Sequence, residues 1–184
     1  MAVVFFAVYP TTNWITSLRP EPLHLYLRAE LAVPFVPQFI WAYLSMYVLF
    51  LVPLFLLPAT RMPALGKQLI GGTLMSGLLF LLLPAELGFA RVLPAGAPYA
   101  GIFAAVFSID HPYNLVPSLH VIFSTAIALA CTDASKSVVR VALHAWLIAI
   151  AASTILVHQH HVLDLASSFV LVFLLRRRYT VTHA

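Results

Sequence analysis

The chain has 184 residues, 62% of them hydrophobic and only 9% charged, with a mean hydropathy of +0.97. Soluble domains carry roughly 25% charged residues, so this composition excludes a water-soluble globular protein and points to an integral membrane protein. The net charge of +4 is small and its basic residues are sorted to one side of the chain's loops, which reports orientation and not nucleic-acid binding.

Met1 to Val8 is apolar, with no basic residue before it and no small-residue cleavage site after it, which argues against a cleaved signal peptide. It reads as the end of a membrane helix with a shortened beginning. Pro10 to Glu30 is polar and contains Arg19, Glu21, Arg28 and Glu30, the pattern of a loop outside the bilayer core. Pro37 to Leu57 is apolar, carries Trp41, Tyr43 and Tyr47 near its start, and suits a spanning helix kinked at Pro53. Gln68 to Leu83 can span if Ala64 to Gly66 join it and Lys67 snorkels. The connection Pro84 to Val116 contains an apolar stretch, Tyr99 to Ile109, too short to cross and expected to form an interfacial or re-entrant helix.

Pro117 suits the first turn of a helix running to Thr132. Asp133 and Ser135 are candidate N-caps for the next span, Val138 to Val157, and His161 to Leu175 is the last, ending in Arg176, Arg177 and Arg178. The single cysteine, Cys131, lies in an apolar run and reads as a packed small hydrophobe. Loops on one side of this arrangement hold Arg61, Lys67, Lys136, Arg140 and Arg176 to Arg178; the other side holds Arg19, Arg28 and Arg91. The positive-inside rule therefore puts the C-terminus in the cytoplasm and gathers His120, the His158 to His161 cluster, Asp164 and Arg91 at the outer face.

Titratable groups at membrane depth cost roughly 2.5–3.5 kcal/mol each on insertion scales, which makes them functional candidates. In helical geometry His160 and Asp164 lie one turn apart, so the carboxylate can hold one imidazole nitrogen and leave the other basic, the wiring of an activated nucleophile. His158 or His161 could equally be the functional member. A second histidine, His120, follows Pro117, Ser118 and Leu119 upstream. Two facing imidazoles suit phosphoryl transfer, one attacking phosphorus and the other protonating the leaving oxygen. Arg91 can supply a bidentate fork, and Ser118 with the helix-start N–H groups can supply further donors. A zinc site from His158, His160, His161 and Asp164 is disfavoured because His158 and His160, two apart, point in different directions on a helix. His24 and His183 read as loop and tail residues.

At these residues the sequence resembles the type 2 phosphatidic acid phosphatase superfamily, whose signatures are KxxxxxxRP, PSGH and SRxxxxxHxxxD. The second appears as Pro117-Ser118-Leu119-His120, and the third as Ser153-Thr154 followed at the family spacing by His160 and Asp164, with threonine in the arginine position. In the first, Arg91 matches the arginine, while Pro84 and Val92 stand in the lysine and proline positions. These departures resemble the inositol phosphorylceramide and sphingomyelin synthase branch. The resemblance implies that His160 is the nucleophile forming a phosphohistidine, Asp164 its partner, His120 the general acid, and Arg91 and Ser118 phosphate ligands. It implies a lipid phosphate or phosphodiester substrate and no metal or organic cofactor. The fold expected is all-α, a polytopic transmembrane bundle with five full spans and a truncated first helix, one domain over residues 1–184. The expected function is a lipid phosphatase; the alternatives are a head-group phosphotransferase and a non-catalytic membrane protein of the same fold.

Overall fold

A computed structural model describes residues 1–96 and 98–179, so His183 lies outside the described residues. Among them the regular elements are all helices, with no β-strand beyond an isolated bridge between Leu23 and Ala85. The helices are α1 (Ala2–Ser17), α2 (Ile40–Leu44), α3 (Met46–Leu49), α4 (Pro53–Leu56), α5 (Met62–Leu82), α6 (Tyr99–Ile109), α7 (Leu119–Thr132), α8 (Ser137–Leu156) and α9 (Val162–Tyr179), with short 3₁₀ turns at Arg28–Ala32, Pro37–Phe39 and Ala59–Arg61.

The centre of the bundle is α7. Twelve of its 14 residues are buried, so it has no water-facing stripe and is surrounded by other helices. Ile122, Phe123 and Ile127 from α7 join Leu49, Phe80, Ile150 and Val172 in the main apolar core. The glycines of α5 let backbones approach closely. A Cβ at Gly72 would meet Ile122 Cγ2 of α7 at 2.8 Å, one at Gly71 would meet Leu175 Cδ2 of α9 at 2.9 Å, and one at Gly77 would run into Val8 of α1.

The helical stretch 59–82 and α8 are long and apolar enough to cross a membrane by length and composition. The other expected spans differ in length and make-up. Helix α7 has 14 residues, about 21 Å at 1.5 Å per residue, and the 18 residues of α9 include Asp164 and the three arginines. The apolar run after Pro37 is divided into α2, α3 and α4 by short turns at Ser45 and just before Pro53, across which the backbone stays right-handed helical, as one irregular helix. Pro53 brings no N–H, and the chain around it tightens into i→i−3 bonds, Leu51 to Val48, Val52 to Leu49, and Leu54 to Leu51. At the first break, Ser45 Oγ donates back to the Ala42 carbonyl at 2.6 Å, and Trp146 Nε1 of α8 donates to Ser45 Oγ at 2.8 Å.

The expected loop after Pro10 is helical as far as Ser17. Its polar residues are matched by partners distant in sequence. Asn114 Nδ2 donates to the Tyr9 carbonyl at 2.9 Å and to Thr12 Oγ1 at 3.0 Å, while Asn13 Nδ2 donates to the His111 carbonyl at 3.1 Å. These bonds fasten the segment leading into α7 against α1. At α7 itself Ser118 is the N-cap and Pro117 precedes it, while Asp133 caps the C-terminus; the N-cap of α8 is Lys136, with no side-chain capping bond. The stretch from Tyr99 to Ile109 forms α6 with the bounds expected. The last helix runs past Leu175 to Tyr179, and Arg176 pairs with Asp133 where α9 meets the end of α7.

The glycine contacts make opposite predictions for one helix. Gly72→Ala forces α5 from the stiff, β-branched Ile122 and should cost on the order of 1–3 kcal/mol. Gly66, in the same helix, has open space where a Cβ would sit, so Gly66→Ala should stabilise by roughly 0.5–1 kcal/mol. Thermal unfolding of both variants in one detergent should move the midpoint in opposite directions.

Candidate active site

The site is built where α8 stops and α9 starts. Helix α8 ends in a Schellman motif: His158 N–H bonds the Ile155 carbonyl at 2.9 Å and Gln159 N–H bonds the Thr154 carbonyl at 2.9 Å. The motif requires a left-handed residue, and His158 takes it with φ 55°. Glycine is the usual occupant because an L side chain is strained there. His158 is held there by its ring, which stacks on Phe89 at 4.0 Å, and by Nε2, 3.0 Å from the Val33 carbonyl. The Thr154 carbonyl also accepts from His160 N–H at 3.0 Å, so Thr154 fixes the turn through its backbone.

His160 is therefore not on a helix. Its Nδ1 lies 3.0 Å from Asp164 Oδ2, and the same oxygen accepts the His161 N–H at 2.9 Å. Asp164 stands in the first turn of α9 with its carboxylate reaching back to the preceding backbone, the carboxylate half of a capping box. An ionised carboxylate only accepts, so the His160 proton sits on Nδ1 and the lone pair on Nε2. Asp164 Oδ1 has no hydrogen-bond partner.

His161 has a different environment. Its Nδ1 lies 3.2 Å from Glu30 Oε2, and its Nε2 accepts the Gly88 N–H at 3.0 Å, which fixes a neutral ring with the proton on Nδ1. Tyr26 and Phe89 sandwich that ring, with centroids 4.6 and 4.5 Å away. Glu30 Oε2 also accepts the Val162 N–H at 2.8 Å, and Oε1 accepts the Leu27 N–H at 3.0 Å. Burial works to raise the Glu30 carboxyl, but the N–H groups of Val162 and Leu27 and the His161 ring outweigh it and hold it below its ordinary value.

His120, in the first turn of α7, has Nε2 2.7 Å from the Tyr43 carbonyl, so Nε2 carries a proton and Nδ1 is left for exchange. Its ring stacks on Tyr43 at 3.9 Å. His120 and His160 both line a cavity of about 1100 Å³, together with Asp110, Asn13, Phe5 and Trp14. Among the described residues lining it there is no lysine or arginine.

Arg91 and Ser118 are not among the lining residues. Arg91 Nη1 donates to the Asp110 carbonyl at 2.5 Å and the Phe107 carbonyl at 3.4 Å, and the guanidinium lies 4.9 Å from the Phe107 ring centre. It thus closes the C-terminus of α6, where a cation is favoured; its Nε has no hydrogen-bond partner. Ser118 Oγ accepts the Val121 N–H at 3.3 Å, its N–H donates to the Asp164 carbonyl at 3.3 Å, and its carbonyl accepts from Ser168 Oγ at 3.0 Å. These bonds join the start of α7 to the start of α9.

The structure thus brings His120, His160 and Asp164 together and puts Arg91 and Ser118 in supporting contacts. Among the described residues no group of three histidine, cysteine or acidic side chains is arranged to hold a metal. Sequence reasoning missed Glu30 and Tyr43, taken as a loop residue and an interfacial aromatic. The signal available for Glu30 was its rarity, one of six acidic residues in the chain. No protein-family model, curated protein or solved structure matches this chain.

Glu30 makes a prediction about acid stability. Its folded pKa lies below its unfolded value of 4.5, so the stability it contributes is present above that value and is lost as pH falls through the folded one. Glu30→Gln should lower stability at neutral pH by about 1.5–3 kcal/mol through loss of charge-assisted hydrogen bonds. Thermal melts from about pH 6 to about pH 3.5 should show the gap between the two proteins closing.

Proposed function

We propose that the protein is a multi-pass membrane enzyme that takes the phosphoryl group of a lipid phosphate ester onto His160 and passes it to water. The observation that carries this reading is the His160–Asp164 pair, with Nδ1 bound at 3.0 Å and the ring bordering a cavity that His120 also lines. In the reaction, the Nε2 lone pair attacks phosphorus, the bond from phosphorus to the lipid oxygen breaks, and the leaving oxygen takes a proton from Nδ1 of a protonated His120. The Tyr43 carbonyl, already an acceptor for His120 Nε2, supports the protonated ring. Water then attacks the phosphohistidine, returns a proton to His120 and releases phosphate. Asp164 keeps the His160 tautomer and stabilises the positive charge that forms on the ring.

Phosphate ligation by Arg91 is part of the proposal in a reduced form. Its unpartnered Nε–H is buried away from the cavity lining, so the guanidinium would have to turn, with Nη1 leaving the Asp110 carbonyl, to contribute. Ser118 acts by holding the starts of α7 and α9 together. The absence of lysine and arginine from the described cavity lining favours a second reading. A phosphodiester carries one negative charge and needs less cationic compensation than a doubly charged monoester. Transfer of a phosphoalcohol head group from one lipid to the hydroxyl of another therefore stands beside hydrolysis, with the same His160 intermediate.

For topology we read the bundle as polytopic, with the site at the outer surface and the C-terminus in the cytoplasm. The ends that build the site, the starts of α7 and α9 and the end of α8, lie together, while Lys136, Arg140 and Arg176 to Arg178 lie at the opposite ends of these helices.

The test is turnover by the detergent-purified protein over a panel of lipid phosphates and phosphodiesters, with and without diacylglycerol. Free phosphate from a monoester, abolished in His160→Ala, is the expected result. Asp164→Asn should lower kcat by on the order of 10²–10⁴. A new phospholipid formed only with the acceptor would select the transferase reading; turnover untouched by His160→Ala would sink both.

A further inference from the structure

Glu30 lies 130 residues from His160 in the chain, yet it is 6% exposed and belongs to the same hydrogen-bonded assembly. We propose that Glu30, acting through His161 and the first amide of α9, is a positioning residue for the His160 ring. This rests on the catalytic role proposed above for His160.

The argument starts from what holds His160 in register with Asp164. His160 follows a left-handed helix stop and precedes α9, so no helical ladder fixes the peptide between it and His161. Behind it, the Thr154 carbonyl binds the His160 N–H. Ahead of it, two carboxylates take the next two backbone donors, Asp164 the N–H of His161 and Glu30 the N–H of Val162. Glu30 also holds the His161 ring, whose other nitrogen is fixed by Gly88 and whose two faces are covered by Tyr26 and Phe89.

The side chain of His161 is thus clamped on every side while its own N–H shares Asp164 Oδ2 with His160. Movement of the 160–161 peptide would shift the histidine ring against the carboxylate that sets its tautomer. A merely structural tie between the 23–33 segment and α9 would not need the three donors that Glu30 accepts. Two of those donors come from the residues immediately after His160. The tight fit extends to the segment supplying Gly88, where an added Cβ would strike the Tyr26 ring at 2.6 Å.

The experiment uses the full chain labelled with ¹⁵N-histidine in detergent, with the His160 imidazole assigned by the loss of its signals in His160→Ala. Wild-type protein should give His160 as a single tautomer protonated at Nδ1. Glu30→Gln should give a mixture of tautomers at His160, while the thermal transition remains cooperative. Its kcat should fall by on the order of 10-fold with KM unchanged. His161→Phe provides a second variant that keeps the ring stack and removes both ring hydrogen bonds; it should produce the same tautomer mixing. Glu86→Gln, which removes a surface partner of His24, should leave the His160 signal as in wild type.

A single Nδ1–H tautomer in folded Glu30→Gln or His161→Phe overturns the positioning role. Should Glu30→Gln fail to fold, His161→Phe decides alone. Wild-type protein without turnover defeats the catalytic reading instead, and the tautomer comparison still reports whether Glu30 orders the ring.

Discussion

One carboxylate oxygen, Asp164 Oδ2, is the joint on which the site depends. It accepts the ring proton of His160 and the backbone N–H of His161 in a place where Asp164 is 1% exposed. A buried carboxylate is costly unless hydrogen bonds compensate it, and here the compensating donors are the groups that need to be aimed. Its location in the first turn of α9 adds the favourable end of the helix dipole. The ring orientation, the tautomer and the start of the helix therefore meet at one oxygen.

Much of the remaining structure supplies rigidity to that joint. Ser118 and Ser168 tie the start of α7 to α9, so His120 and His160 are held on neighbouring elements. The Tyr43 ring and carbonyl orient His120 from the other side. Helix α1 fastens the segment before α7 through Asn13 and Asn114, and the glycines of α5 let α1, α7 and α9 pack closely on that helix. The outcome is a cavity bordered by two histidines that are held through different nitrogens, His160 by Nδ1 and His120 by Nε2.

The sequence made the His160–Asp164 spacing and the second histidine visible because a four-residue separation survives two different geometries. Helical stacking was the expected reason for the pairing, whereas the structure achieves it by a helix stop followed by a capping carboxylate. The α6 segment is readable because its apolar run is bounded by Pro94, Gly96 and Pro98 on one side and by Asp110 and His111 on the other. The extent of α1 was not, since Thr12, Asn13 and Thr16 look like loop residues until their partners at His111 and Asn114 are in place. Glu30 was hidden for the same reason, its partners being 131 and 132 residues away. The turn after α2 is where Ser45 meets Trp146, 101 residues away, whereas the tightening before α4 can be read locally from Pro53. The position of Arg91 in the chain suggests a phosphate ligand, whereas its Nη1 closes the end of α6.

The central claim is that His160 carries the phosphoryl group through Nε2. The direct measurement is acid quenching avoided in favour of alkaline trapping: the protein is mixed with a ³²P-labelled lipid phosphate, stopped in base, digested and mapped. Alkali-stable, acid-labile phosphate on the peptide containing His160, bonded to Nε2 and absent from His160→Ala, is the result this account predicts. Turnover that proceeds with phosphate on no histidine, or on His120 in place of His160, would contradict it.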